Sequence, residues 1–355
     1  MSRSIRFARS AQQKPPARCT ATPTPSSATW TPLRRSITVA LLLGSVLATT
    51  AEARSVSYPA AQTCPAATDS PLHDATLQQQ IAHTANGDIA YYRFGHGSPI
   101  VLQTGFRASL DEWNAAFLAG LAQHHEVIVF DNRGIGRSMP DASSFTVHDM
   151  ASDAVALIES LQLKDVTLVG WSMGSAISAQ VAIDHPDAVR RIVLMNPTAP
   201  GPRGVPVPAD VSATLSGTKP NTTFDDVMAV LFPRAALPVA EHCFRAAMFM
   251  PSDYKVPVVS ASVTAGQAGL LQAWSQDATA ARALRNVTLP TLVLGGADDQ
   301  VLPKRNAEAL GGTIPHARLL MVRAAGHAMM YQYPHQLAAA IDDFIAQTSR
   351  ASTPA

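Results

Sequence analysis

Charge is scarce in this chain and has no dominant sign. Only 15% of the 355 residues are charged, and 27 Lys and Arg against 26 Asp and Glu leave a formal net charge of +1. A field that weak gives no hold on nucleic acid or on an acidic surface, and the basic residues are scattered instead of forming a block. Cysteine is rarer still, at three residues, and no set of His, Cys, Asp or Glu has metal-ligand spacing, so no metal is expected. Aromatic residues are 6% of the chain, and no apolar run is long enough for a bilayer. The longest candidate, residues 37–48, falls short of the roughly 20 residues that a helix needs to span the hydrocarbon core, which excludes a stable membrane anchor. No internal repeat is present. What the chain has in quantity is apolar residues, 47%, enough to build a substantial core.

Residues 1–36 are rich in Ser, Thr, Pro, Arg and Gln without apolar periodicity and cannot bury enough surface to offset their ordering entropy. Arg34-Arg35, the apolar run and Ala51-Glu52-Ala53 follow as the charged, greasy and small-residue parts of a secretory signal. Residues 1–53 therefore read as an N-terminal extension and signal peptide, cleaved after Ala53, and the mature protein as exported, periplasmic or secreted. The paired arginines leave the general and twin-arginine routes both open. Cys19 would be lost on cleavage, and the sequence leaves open whether Cys64 and Cys243 pair in the oxidising compartment.

After a flexible lead-in, 54–77, strand and helix patterns alternate. Asn86-Gly87 separates two short runs, 79–84 and 89–94, that pair as an antiparallel hairpin. The runs 99–103, 127–130, 166–169, 192–195, 291–294 and 318–322 are apolar on both faces, as strands covered on both sides must be. Helix-sized segments, 112–122, 147–161, 173–184, 304–310 and 335–347, lie between or after them. In the second, Thr146 and Asp149 form a capping box and Met150, Ala154, Leu157, Ile158 and Leu161 share a face. This order predicts an α/β fold, a mainly parallel doubly wound sheet with its ligand site beyond the carboxyl ends of the strands. The alternation breaks over 202–286, where helical stretches 224–232, 239–250 and 260–276 follow one another. That segment reads as an inserted helical cap, with 78–201 and 287–347 as the core and 348–355 as a tail. Its Met228, Leu231, Phe244, Met248, Leu270, Leu271 and Trp274 are expected mainly to pack helices and collectively to make an apolar lid.

The chemistry concentrates at a few points. Gly170-Trp171-Ser172-Met173-Gly174 lies between a strand and a helix, the setting of a nucleophile elbow, in which glycines allow a turn tight enough to hold the serine in a strained conformation. A serine hydroxyl needs a base, and the base an orienting acid. Gly326-His327, beyond the last strand, supplies the base. The loop after 291–294 supplies two adjacent aspartates, of which Asp299 is the first choice, by its spacing to Pro303 and the glycines, and Asp298 the alternative. The order Ser, Asp, His is that of α/β hydrolases. The backbone N–H groups of Met173 and of Phe106, in Thr104-Gly105-Phe106 after the strand 99–103, are the expected oxyanion donors.

Together with Asp131-Asn132-Arg133-Gly134-Ile135-Gly136-Arg137-Ser138 and Asp299 to Pro303, these motifs resemble the α/β-hydrolase superfamily over roughly residues 78–347, in the capped branch with cofactor-free haloperoxidases and small esterases. The resemblance implies Ser172, Asp299 and His327 as the triad, Phe106 and Met173 as the oxyanion hole, the 131–138 loop as a brace, and no cofactor. Thr104 departs from it, since the family usually has a histidine there that helps fix the oxyanion loop. Serine at the elbow separates the chain from the haloalkane dehalogenases and epoxide hydrolases of this fold, which use aspartate. The expected activity is hydrolysis of a small-molecule carboxylic ester, thioester or lactone through an acyl-enzyme. A peptidase or C–C bond hydrolase of the same fold is the first alternative, although the Gly-Gly-Pro-Gly motif of related proline peptidases is missing. A ligand-binding relative with little turnover is the second. Gly134-Ile135-Gly136 fails as a dinucleotide fingerprint because Arg137 and Ser138 stand where the helix-opening glycine belongs. The sequence gives neither the acyl group nor the oligomeric state.

Overall fold

The computed structural model describes residues 53–59, 72, 77–139 and 144–350. The N-terminal extension with its export signal, the question of a Cys64–Cys243 pair and the end of the tail lie outside the described residues. Nine strands form one sheet: β1 (Ala53–Val56), β2 (Gln80–Thr84), β3 (Gly87–Gly95), β4 (Ser98–Gln103), β5 (His125–Phe130), β6 (Thr167–Trp171), β7 (Arg191–Met195), β8 (Thr291–Gly296) and β9 (Arg318–Val322). Their spatial order is β1-β9-β8-β7-β6-β4-β5-β3-β2. The β2–β3 and β3–β5 pairs are antiparallel and the other pairs parallel.

Side chains that alternate along each strand separate into two cores, one on each face. Ile100, Leu102, Val127, Val129, Val169, Val193 and Met195 join one cluster. Val101, Ile128, Phe130, Leu168, Ile192, Leu194 and Val293 join the other. This explains why the strand sequences are apolar without alternation. The helices α1 (Ala115–Ala122) and α11 (Pro334–Arg350), the latter preceded by the short α10 (Met329–Gln332), cover the first face, and α2 (Val147–Ser160), α3 (Met173–Asp184) and α9 (Arg305–Gly311) the second. α2 opens with the expected capping box, Thr146 with Asp149.

Several stretches differ from the sequence reading. The lead-in carries β1, whose register runs Ala53↔Leu319 to Val56↔Val322. α1 starts at Ala115 and not at 112: residues 110–112 make a 3-10 turn, and the Asn114 side chain caps the helix by accepting from Phe117 N–H. α11 continues past 347 to Arg350, where Thr348 and Ser349 accept from the guanidinium of Arg191, a buried cation at the start of β7.

Between β7 and β8 the regular elements are helices: α4 (Ala209–Ser216), α5 (Phe224–Leu231), α6 (Leu237–Ala246), α7 (Ala261–Gln276) and α8 (Ala278–Ala283); the expected helix 239–250 stops at Ala246, and residues 247–260 are irregular. Met228, Leu231, Phe232 and Phe244 join the first core, and Leu270 and Trp274 the second. The insertion is tied to the segment after β4 by Ala115 N–H to Ala247 O (2.8 Å) and by Phe249 N–H to Asp111 O (3.0 Å) and Trp113 O (2.9 Å).

Candidate active site

After β4 the chain runs to β5 on one side, then crosses to β6 on the other, so a crevice opens at the carboxyl ends of β4 and β6. Ser172 stands in that crevice between β6 and α3, at φ 57° and ψ −119°. An L-residue resists that conformation, and close packing of the flanking glycines enforces it. A Cβ at Gly170 would lie 2.1 Å from Gly174 O, and one at Gly174 2.2 Å from Gln103 O. Met173 is the first residue of α3, directly after Ser172, so its N–H has no partner within the helix.

The structure brings Ser172, His327 and Asp299 into one chain of hydrogen bonds. His327 Nε2 is 2.8 Å from Ser172 Oγ, and His327 Nδ1 is 2.8 Å from Asp299 Oδ2. All three residues are buried. With Asp299 a carboxylate, which can only accept, Nδ1 carries the hydrogen and Nε2 is left to accept from the serine hydroxyl. Asp299 Oδ1 accepts from Val301 N–H (2.8 Å) and Leu302 N–H (2.9 Å), which stops the carboxylate from rotating away. Asp298 is exposed, and its backbone N–H bonds to Ala325 O.

Two residues that the sequence reading did not single out hold the histidine loop. Asn196, just beyond β7, donates through Nδ2 to Gly326 O (2.9 Å) and His327 O (2.6 Å) and accepts from Gly296 N–H at 2.7 Å. It thus joins the loops that carry Asp299 and His327. Trp171, at the elbow, donates from Nε1 to the same His327 carbonyl at 2.9 Å. Their only sequence signal is position, next to a strand end and a nucleophile.

The loop after β4 lies against the serine: a Cβ on Gly105 would be 3.2 Å from Ser172 Cβ. Phe106 lines the same cleft. Thr104, standing where a histidine was the expectation, is buried and accepts through Oγ1 from Asn132 Nδ2 (2.9 Å), while Asn132 Oδ1 accepts from Gln103 Nε2. The 131–138 loop does brace the site. Asp131 Oδ1 accepts from Leu110 N–H (2.9 Å) and from the Tyr254 hydroxyl (3.0 Å), and Ser138 Oγ accepts from Ala90 N–H (2.9 Å).

The cleft above Ser172 has a volume of about 930 Å³. Phe106, Trp171, Leu215, Met228, Leu231, Phe244 and Met248 make its apolar walls, so several residues expected to pack helices also face the cleft. Asp111 and Glu112 border it from the loop side. Burial pushes the Glu112 carboxyl up to about 8, with Asp111 beside it adding to the shift, and burial pushes Asp131 up to about 7. An unfolded carboxyl ionises near 4, so between about pH 4 and 7 the folded chain holds a proton at Asp131 that the unfolded chain has released. Stability from this group is therefore complete below about pH 4, falls as pH rises to about 7, and is flat above. About three pKa units correspond to something on the order of 4 kcal/mol. Asp131→Asn, which keeps an acceptor for Leu110, should make the decline in melting temperature between pH 4.5 and 7.5 less steep, the remainder belonging to Glu112; an equally steep decline in the variant would refute the assignment.

The model of the alpha/beta hydrolase fold family matches residues 98–334. The protein named "Putative non-heme bromoperoxidase BpoC" of Mycobacterium tuberculosis is 30% identical over 267 residues, covering 73% of this chain and 98% of the relative. Among solved structures, an alpha/beta hydrolase fold protein from Chitinophaga pinensis superposes with a TM-score of 0.68 at 20% identity, over 76% of this chain and 98% of the other. A thermophilic esterase from Thermogutta terrifontis does so with a TM-score of 0.61 at 23% identity, over 76% and 99%. The elbow, the strand order and these matches agree that the chain belongs to the α/β-hydrolase fold family, where it resembles the cofactor-free haloperoxidases.

Proposed function

We propose that the protein is a serine hydrolase of a small carboxylic ester or related acyl compound, working through an acyl-enzyme. The observation that carries this reading is the unbroken Ser172–His327–Asp299 chain at the floor of an apolar-walled cleft. His327 Nε2 takes the hydroxyl proton as Ser172 Oγ attacks the carbonyl carbon. The same nitrogen then delivers that proton to the departing alkoxide, draws a proton from the water that attacks the acyl-enzyme, and returns it to Ser172 Oγ as the acyl–Oγ bond breaks and the acid leaves. Asp299 stabilises the imidazolium without taking its proton. The N–H groups of Met173 and Phe106 receive the developing oxyanion, at about 3 to 4 kcal/mol for each donor. The apolar side chains beside Ser172 suit an apolar acyl group, while Arg107, Lys219 and Arg245 also line the cleft.

The test is a series of p-nitrophenyl esters of increasing acyl length, run beside a peptide amide and a C–C cleavage substrate. Ester turnover that exceeds the other two is the expected result, and preference for either of the others would replace this reading. Within that assay Asp299→Asn should lower kcat by a factor on the order of 10⁴, as happens when the histidine is left in the wrong tautomer. Asp298→Asn should stay within about threefold of the parent, as for an exposed side chain away from the chemistry. The reverse pattern would hand the role to Asp298.

A further inference from the structure

The turn that carries Phe106 is held in a form that its sequence resists. Ala108 N–H reaches Gly105 O at 3.4 Å, closing a four-residue turn, and Arg107 in its third position has φ of 56°. A positive φ at that position marks the type II pattern, in which the central peptide is flipped relative to type I, and glycine is the residue that adopts it freely. For a residue with a Cβ the left-handed conformation costs about 1 to 2 kcal/mol. Some contact must hold the flipped peptide.

That contact is Gln267. The Arg107 N–H, which belongs to the flipped peptide, donates to Gln267 Oε1 at 2.7 Å. Gln267 lies on α7 in the helical insertion and is fully buried, and its Nε2 is buried without a hydrogen-bond partner. Burying an amide with its donor unmet is unfavourable by about 1 to 3 kcal/mol, a cost that a leucine of similar size would avoid. The guanidinium of Arg107 adds a second tie to the insertion, from Nη1 to Leu215 O at 2.6 Å.

The geometry points to Gln267 as a positioning residue that keeps the Gly105–Phe106 turn against Ser172, so that the Phe106 N–H faces the oxyanion. One of the two oxyanion donors is thereby set by α7 and not by the sheet. Without the acceptor the central peptide rotates, the ψ of Phe106 and the φ of Arg107 change together, and the turn relaxes away from the serine. This inference rests on the hydrolase reading above.

The experiment compares Gln267→Met, Gln267→Glu, Arg107→Gly and the Arg107→Gly/Gln267→Met double variant in the full-length protein. It uses a p-nitrophenyl ester that the wild type turns over and a trifluoromethyl ketone as transition-state analogue. Gln267→Met should lower kcat by about 10- to 100-fold, less than the loss of a whole oxyanion donor. KM should stay within about threefold, and the analogue should weaken in the same ratio as kcat/KM. Gln267→Glu keeps the acceptor and should recover most of the activity. In the Arg107→Gly background the turn needs no support, so adding Gln267→Met should cost less than about threefold. That pair of variants carries the test even if Gln267→Met alone does not fold. An unchanged kcat and analogue affinity in Gln267→Met, or an equal loss in both backgrounds, overturns the inference while leaving the hydrolase reading intact. A wild type without turnover would overturn both.

Discussion

Ser172→Ala is expected to reduce ester hydrolysis by a factor on the order of 10⁶ and to abolish labelling by a fluorophosphonate, with the melting temperature unchanged. The size of the loss follows from the geometry. Ser172 Oγ is the hydroxyl hydrogen-bonded to His327 Nε2, and on the proposed mechanism its removal leaves only the oxyanion donors and the cleft to assist water. Stability should be indifferent, because alanine at φ 57° suffers the same Cβ strain as serine. Ser172→Gly should be as inactive, yet more stable by about 1 to 2 kcal/mol, since glycine removes the strain. Two inactive variants with opposite stability behaviour would identify the elbow as a place where conformational energy is stored for catalysis. If Ser172→Ala keeps more than about a thousandth of the activity, the acyl-enzyme scheme is wrong.

Asn196→Ala should be the most damaging single change outside the triad. Its amide is the partner of three buried backbone groups: the carbonyls of Gly326 and His327 and the N–H of Gly296. A buried polar group left without a partner costs about 1 to 3 kcal/mol. Trp171 still serves the His327 carbonyl, so a net loss of about 3 to 5 kcal/mol is expected in urea unfolding. The φ of 42° at Asn196 adds to it, since asparagine tolerates left-handed backbone better than alanine. Residual folded enzyme should have a kcat lowered by at least about tenfold, because the histidine and aspartate loops lose their shared tie. Asn196→Asp keeps the acceptor for Gly296 but sets a second oxygen against the carbonyls of Gly326 and His327, so it should be no more stable than the alanine variant. Wild-type stability in Asn196→Ala would show that the two loops are held by other means.

Much of this was legible in the sequence because it depends on local pattern. Strands apolar on both faces, Gly170 and Gly174 around Ser172, and Gly326-His327 beyond the last strand each carry their meaning within a few residues. The choice between Asp298 and Asp299 does not. Adjacent aspartates on one loop are equivalent until the fold aims one of them, and here two backbone N–H groups clasp Asp299 while its neighbour faces solvent. Asn196 and Gln267 were invisible for a related reason: each is a single amide whose partners come from distant parts of the chain. Thr104 shows the opposite case, a departure from pattern that suggested a loosened loop. The loop is instead fastened, by a hydroxyl bonded to Asn132. β1 escaped notice because Ala53-Arg54-Ser55-Val56 has no strand pattern of its own, and its backbone pairing to β9 supplies what its side chains lack.

That pairing also sets a timetable for folding. β1 precedes every other described strand in the chain, yet its neighbour β9 is the last to be made. A ribosome therefore has to synthesise almost the whole hydrolase core before the edge of the sheet can close. Contacts between such distant segments form slowly, because the intervening loop must be closed first. Until then β9 presents a row of unpaired backbone groups, an open template for strands of other chains. Four residues near the start of the described chain thus take their place in the sheet only after its last strand has been made.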